Sequence, residues 1–223
     1  MTYLLGIILL STGCFLFGNK TEIKKQSPIN AVATQTTSQT LPQKKTTQHT
    51  TLLTKNFGAK NADTIIVVNI AQQQLQVVSN NNILKTYTVS TAKAGIGSKK
   101  NSNKTPLGVH RIKNKIGDKA PLGTIFFARQ PSGQIAEIYT DTTDTPKDYV
   151  TTRILWLDGL EPGKNKGGKV DSYERYIYIH GTHEEGLLGK PVSIGCIRMK
   201  NIDVTELFNM VKEGTLVIIL AET

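Results

Sequence analysis

Short runs of hydrophobic residues, separated by polar turns, recur along the chain from residue 63 onward. Several runs are rich in β-branched and aromatic side chains, and some alternate hydrophobic with polar positions, as β-strands do. Stretches such as 71–74 and 80–82 carry polar residues that favour turns. The pattern predicts strands at residues 64–69, 74–78, 83–90, 108–113, 125–128, 153–157, 175–179 and 216–220.

One segment near the end of the chain has helical periodicity instead. Its hydrophobic residues recur at the i, i+3, i+4, i+7 spacing that places them on one helix face: Val204, Leu207, Phe208 and Val211. We predict a helix over residues 204–212, with Asp203 as its N-cap and Gly214 as its C-terminal stop. Many short strands and one clear helix indicate a mainly β domain.

The N-terminal segment has a different composition. Residues 3–18 form a hydrophobic run of 16 residues, which at about 1.5 Å per residue is too short for a bilayer core of about 30 Å. We predict that residues 1–18 are an export signal. The Leu10-Ser-Thr-Gly-Cys14 segment resembles a bacterial lipoprotein processing site, although Ser11 stands where leucine is usual. Lipidation of Cys14, cleavage near Gly18, an uncleaved anchor and a wrongly assigned start all remain open.

Residues 19–60 are rich in Thr, Gln, Lys, Asn and Ser and hold few large hydrophobic residues. Such a segment buries too little surface to offset chain entropy, so we predict a disordered tether. Seven lysines against one glutamate give it most of the net charge of +10. A basic tether suits anionic lipid or wall polymer, whereas nucleic acid is not expected without an aromatic-rich basic groove. Residues 61–223 are enough for one domain.

Two short runs bring together the groups of a reactive site. Cys196 stands in Pro191-Val-Ser-Ile-Gly-Cys-Ile-Arg-Met199, and His180 stands 16 residues earlier in Tyr178-Ile-His-Gly-Thr182. An imidazole partner shifts a thiol toward the nucleophilic thiolate near neutral pH. A buried structural thiol is the alternative for Cys196. The neighbouring His-Gly-Thr run favours an acyl-transfer site instead.

Residues around the thiol supply further groups for the same chemistry. Gly195 allows a sharp turn that would point amide N–H groups at an oxyanion. Arg198 has the planar fork that binds a carboxylate, with a surface ion pair as the alternative. Ser193 and Thr182 flank the site, and either would orient His180, contact substrate or cap the local backbone.

The two runs resemble those of the YkuD-type L,D-transpeptidases, cell-wall enzymes that use a cysteine to remodel peptidoglycan. A third run, Lys104-Thr-Pro-Leu-Gly-Val-His-Arg-Ile112, is similar to the family's Thr-Pro-x-Gly segment. The resemblance covers roughly residues 63–220. It implies a β-sandwich of mixed sheets with one helix near the active site. Ile194 departs from the family pattern, which commonly has histidine at that position.

The resemblance also implies a role for each residue. Cys196 would attack the amide before a terminal D-amino acid of a stem peptide, and His180 would carry the proton. The backbone carbonyl of Gly181 would orient His180. The amides of Gly195 and Cys196 would form the oxyanion hole, and Arg198 would bind a substrate carboxylate. An acceptor amine then takes the acyl group, and no cofactor or metal is required.

The other histidines have simpler interpretations. His183 lies three residues after His180, beside two glutamates, but zinc usually needs four fixed ligands. We therefore expect His183 in a solvent-exposed loop rather than in a metal site. His110 lies on a predicted strand, and we expect it to be structural.

Two other functions remain open on the sequence alone. A carboxypeptidase or other cysteine hydrolase would use the same residues with water as the acceptor. A non-catalytic wall-binding module would suit the basic tether and Ile194, but the presence of both Cys196 and His180 argues against it. We expect a monomer exported to the cell envelope, either free or membrane-anchored through its N-terminus.

Overall fold

The computed structural model describes residues 57–58 and 63–221. Its strands in this part of the chain are β1 (Ile65–Asn69), β2 (Gln74–Ser79), β3 (Asn82–Thr88), β4 (Gly108–Ile116), β5 (Thr124–Phe127), β6 (Gln130–Ile135), β7 (Val150–Gly159), β8 (Tyr178–Gly181), β9 (Ile197–Met199) and β10 (Leu216–Leu220). One α-helix, α1, spans Asn201–Met210. The predicted export signal, Cys14 and nearly all of the predicted tether lie outside the described residues.

The strands join in one mixed sheet that branches at β7. The main path runs β3-β2-β1-β10-β4-β7-β5-β6, and β8 leaves it by pairing with β7 and β9. The β1–β10 and β8–β9 pairs are parallel, while the other strand pairs are antiparallel. The expected mainly β fold with mixed strand pairing and one helix is confirmed. None of the helices within residues 57–58 and 63–221 is long and apolar enough to cross a membrane.

The largest hydrophobic core packs around the point where β8 branches from β7. It joins side chains of β1 and β10 to those of β7, β8, β9 and α1, among them Ile66, Leu155, Ile179, Ile197 and Leu207. The opposite face of β1 and β10 packs into a second cluster with Val109 and Leu160. Both faces of these central strands are therefore buried, which explains their continuous hydrophobic runs. Helix α1 packs against β7 and β8, beside the strand that carries His180.

Four details differ from the sequence-based prediction. Strand pairing begins at Tyr178 rather than at residue 175, so His180 lies inside β8 and not beyond its end. Helix α1 begins at Asn201 with Lys200 as N-cap, and Asp203 lies in its first turn. The helix ends at Met210, before Gly214. The short strand β9 and the Pro- and Gly-containing strand β6 were not predicted, because neither has a hydrophobic run of its own.

A bulge in β7 connects three parts of the fold. Thr152 has a positive φ of 65°, and the register between β7 and β8 shifts between Thr151 and Ile154. The Thr152 hydroxyl accepts a hydrogen bond from the amide of Gly123 at 2.8 Å and also bonds the Asn201 side chain. The Asn201 amide group in turn donates to the Thr182 carbonyl at 2.7 Å. These contacts link the start of β5, the start of α1 and the segment after β8.

Candidate active site

Cys196 lies just before β9, between the backbones of two tyrosines. Its Sγ accepts a hydrogen bond from the amide of Tyr178 at 3.4 Å and donates to the carbonyl of Tyr176 at 3.4 Å. Gly195, the preceding residue, has a φ of 133°, a conformation that favours glycine. The predicted sharp turn before the thiol is therefore present.

Two hydroxyl groups hold the loop that carries Cys196. Ser193 Oγ donates to the Cys196 carbonyl at 2.7 Å and accepts from the Gly195 amide at 3.2 Å. Thr105, from the Thr-Pro-Leu-Gly run, donates to the Gly195 carbonyl at 3.0 Å. The Ser193 hydroxyl thus caps the local backbone, which was one of the roles suggested by the sequence. Its contact with substrate stays a prediction.

His180 is the third residue of β8 and pairs in register with Arg198 of β9. Its ring is buried, and its Nδ1 lies 2.7 Å from the Gly181 carbonyl oxygen. Because a carbonyl only accepts, Nδ1 carries the proton and Nε2 offers a lone pair. The contact expected of Gly181 is therefore present.

Gly181 could not be replaced without disturbing this contact. A Cβ there would lie 2.7 Å from Asn201 Oδ1 and 2.8 Å from the Thr151 carbonyl oxygen. One of these neighbours is backbone, so it cannot turn aside as a flexible side chain would. The close approach of β7 and α1 therefore requires glycine after His180.

Burial sets the charge state of the thiol and the imidazole. Loss of solvation lowers the pKa of His180 and raises the pKa of Cys196 to about 12. The negative charge of Asp148 raises the pKa of both groups, and the positive charge of Arg198 lowers it. Both shifts favour the neutral forms of the two groups in the free protein. This direction is opposite to the expected shift of Cys196 toward thiolate, which alkylation of the thiol tests.

Alkylation of Cys196 should show this directly. A thiol with a pKa of about 12 loses its proton only at high pH, so its reaction with iodoacetamide should rise about tenfold per pH unit from pH 7 to about 10. Peptide mapping by mass spectrometry separates Cys196 from Cys14. In urea-unfolded protein the same peptide should approach a plateau near the ordinary thiol pKa of about 8.5. A plateau below pH 8 in the folded protein would contradict the proposed neutral pair.

Arg198 lies under the site in a buried ion-pair network. It is 3% exposed, and its two terminal nitrogens pair with Asp148 at 2.8 Å and with Glu184 at 2.7 Å. Burial would raise the pKa of Glu184, but hydrogen bonds from Thr145 and the charge of Arg198 hold it below its ordinary value. The network ties the segment around Thr145 and Asp148 to the segment after β8. Both terminal nitrogens of the guanidinium that was expected to bind substrate are thus already paired.

His183 belongs to the same network and not to an exposed loop, so that expectation is wrong. It is 2% exposed, its Nε2 lies 2.8 Å from Thr145 Oγ1, and its ring packs on Tyr149. Burial lowers its pKa. Thr182 is also buried, and its hydroxyl oxygen accepts a hydrogen bond from the amide of Glu184 at 3.1 Å. No cluster of three or more metal-ligating side chains occurs within the described ranges.

Sequence reasoning missed Asp148 and the two tyrosine backbones that contact the thiol. Asp148 lies 48 residues before Cys196 in a polar stretch with no periodic pattern, so no local signal marks it. Tyr176 takes a positive φ of 57°, which aims its carbonyl at Sγ and is uncommon for an aromatic residue. Ile194, where the family commonly has histidine, is 63% exposed.

Solved structures with a similar chain course include L,D-transpeptidases of mycobacteria. The Mycobacterium smegmatis enzyme has a TM-score of 0.43 and 17% identity, over 72% of this chain and 59% of that one. L,D-transpeptidase 3 of Mycobacterium tuberculosis has a TM-score of 0.44 and 18% identity, over 71% and 60% of the two chains.

Sequence comparison identifies the family. YqjB of Bacillus subtilis, whose name assigns it to the L,D-transpeptidases, is 29% identical over 157 residues, which cover 70% of this chain and 71% of YqjB. YkuD of the same species is 44% identical over 61 residues, but these span only 25% of this chain and 37% of YkuD. The family model of the YkuD L,D-transpeptidase catalytic domain matches residues 63–219. This chain therefore belongs to the YkuD family of L,D-transpeptidase catalytic domains.

Proposed function

We propose that the protein is a peptidoglycan L,D-transpeptidase that works by cysteine acyl transfer. One observation carries the proposal: His180 of β8 pairs in register with Arg198 of β9, only two residues after Cys196, so the imidazole and the thiol belong to neighbouring strand segments. Parallel pairing of β8 with β9 brings the two motifs together. Family membership supports an enzyme of this kind.

The contact of His180 Nδ1 with Gly181, which leaves Nε2 free, suggests how the first step would run. Sγ attacks the carbonyl carbon of the stem-peptide amide, and its proton passes to Nε2 of His180. The C–N bond then breaks, the proton moves to the leaving amine, and a thioester to Cys196 remains. If both groups start neutral, as their pKa shifts favour, proton transfer would accompany the attack and not precede it. The Nδ1 contact with Gly181 holds the imidazole as it becomes charged.

The second step returns the enzyme to its starting state. An acceptor amine attacks the thioester, a new amide forms, and Sγ leaves and regains a proton. The Gly195 amide would stabilise the oxyanion in both steps once it exchanges its bond to Ser193 Oγ for one to the oxyanion. We propose a positioning role for Arg198, because contact with a substrate carboxylate would first require its ion pairs to open.

Incubation of the purified protein with stem tetrapeptide muropeptides, followed by mass spectrometry, tests the proposal. Cross-linked dimers with release of the terminal D-amino acid are the expected products. Tripeptides without dimers, even with excess acceptor amine, would instead support the carboxypeptidase alternative. Unchanged muropeptides that nevertheless bind the protein would indicate a wall-binding module and would overturn the enzymatic proposal.

We also propose that the N-terminal segment places the enzyme in the cell envelope, anchored by lipid on Cys14. A flexible chain of about 40 residues between anchor and domain would have a root-mean-square reach of roughly 35 Å. The variant Cys14→Ala should therefore move the protein from the membrane fraction to the soluble fraction. An intact mass that corresponds to an unmodified N-terminus after Gly18 would contradict the anchor.

A further inference from the structure

A strained turn sits at the tip of the β5–β6 hairpin. Only Ala128 and Arg129 separate the two strands, and their φ angles are 46° and 69°. Two positive φ angles define a type I′ turn, which strongly favours Asn-Gly because other residues are strained there. Such strain persists where the surrounding structure fixes it, and it is common at ligand sites.

Aromatic side chains hold the Arg129 guanidinium in place. Its central carbon lies 4.8 Å from the ring centre of Trp156 and 4.9 Å from that of Tyr176. One terminal nitrogen donates to the Tyr178 hydroxyl at 3.4 Å. Arg111 and Arg198 each pair with a carboxylate, but no carboxylate in the described part of the chain pairs with Arg129. The guanidinium is thus fixed, charged and available to an anion.

The cavity next to Arg129 is lined by both tyrosines that contact the thiol of Cys196. It has a volume of about 210 Å³ and is lined by Phe126, Ala128, Arg129, Val150, Ile154, Tyr176 and Tyr178. The last two residues are those whose backbone groups contact Sγ. The remaining walls are largely apolar. A ligand of this cavity would therefore combine a short aliphatic portion with one anionic group.

We propose that Arg129 binds a free carboxylate of the stem peptide and selects substrates that carry one beside the scissile amide. The inference rests on the proposed function and deepens it, since it names what the site recognises. The planar fork of arginine suits bidentate contact with a carboxylate, and the aromatic contacts pre-organise it. Arg129 is a specificity residue in this scheme and takes no part in proton transfer.

Two carboxylates of a stem peptide have the required chemistry. One is the terminal carboxylate of the leaving D-amino acid, and the other is a side-chain carboxylate on the residue that becomes acylated. Peptides amidated at one or the other position distinguish these sources. Trp156 is the only tryptophan of the chain, so its fluorescence reports on ligands that reach the Arg129 cavity.

The experiment measures peptide binding by Trp156 fluorescence in a Cys196→Ala background, which prevents turnover. The free-acid tetrapeptide should bind, and Arg129→Gln should weaken it about 10- to 100-fold, as expected for loss of a charged hydrogen bond. Amidation of the recognised carboxylate should weaken binding to a similar degree, and Arg129→Gln should then add less than twofold. Arg129→Lys should restore part of the affinity, because it keeps the charge. Lys119 lines a different cavity that Arg129 also borders, so Lys119→Gln should change nothing if the carboxylate binds in the cavity beside Tyr176 and Tyr178.

Turnover of the same peptides by the Cys196-containing protein separates the two proposals. Acid-selective binding without acyl transfer would support the Arg129 site and overturn the proposed function. Acyl transfer with equal affinity for acid and fully amidated peptides would leave the function standing and overturn the Arg129 site. If Arg129→Gln weakens the binding of acid and amidated peptides equally, Arg129 has a structural role only, and the proposed carboxylate site is overturned. If no peptide binds the protein, the carboxylate site is wrong.

Discussion

Replacement of Cys196 with alanine should lower the rate of acyl transfer by about 10⁴-fold or more, because no other group in the site can form the thioester. Stability should change by about 1 kcal/mol or less, since the substitution removes one sulfur atom that makes two weak hydrogen bonds. Mass spectrometry of muropeptide products gives the rate, and urea unfolding gives the stability.

The second cysteine of the chain is the matched control. Cys14→Ala also removes a thiol but should leave the rate of the purified protein unchanged. A residual rate in Cys196→Ala within a few-fold of the parent would rule out covalent catalysis by this residue. Loss of activity that parallels a loss of folded protein would equally fail to support it, which is why both measurements are needed.

Substitution of His180 by alanine should slow acylation by about 10²–10⁴-fold, the usual contribution of a positioned base. His183→Ala should change the rate several-fold at most. Both histidines are buried, so both variants leave a similar cavity and pay a similar packing cost. The difference between them therefore reports on proton transfer rather than on packing. If His183→Ala is the inactive variant, the assignment of His180 as the base is wrong.

The pH profile of acylation offers a further check on His180. Burial lowers the pKa of this imidazole, so the base stays neutral to a pH below the ordinary histidine value of about 6.5. The rate should therefore hold constant down to a pH below about 6.5 and fall only as the pH drops through the lowered pKa. A fall centred above pH 7, or a loss of activity on addition of a chelator, would argue against this mechanism.

Local sequence signals were enough to predict most of the fold. The central strands β1 and β10 are clear in the sequence because both of their faces are buried, so every residue except Asn69 is hydrophobic. The predicted start of strand β8 was three residues early. The alternating run 175–179 begins before the hydrogen bonds of the strand, which start at Tyr178. Strand β6 was missed because its PSGQ segment carries turn residues and lies largely exposed at the edge of the sheet.

The site was predictable only where its residues are close in sequence. Cys196 and His180 stand in recognisable runs, and the contact of His180 with Gly181 joins adjacent residues. Asp148 and Arg129 come from distant segments, and nothing local marks them. The sequence shows that Arg198 is charged, but it does not show which carboxylates lie beside it in the fold. We therefore expected Arg198 to bind a substrate carboxylate, whereas Asp148 and Glu184 occupy that position.

The bulge at Thr152 determines which part of the β5–β6 hairpin could be exchanged by protein engineering. The β5–β6 hairpin is fastened to the sheet near Gly123, while its tip at Arg129 reaches the cavity beside the thiol. Loop grafting that keeps Gly123 and Thr152 would therefore preserve the bonds to Asn201 and Thr182 that seat the imidazole strand. If Arg129 selects the peptide as proposed, exchange of the hairpin tip would change peptide selectivity while the contacts around His180 stay in place.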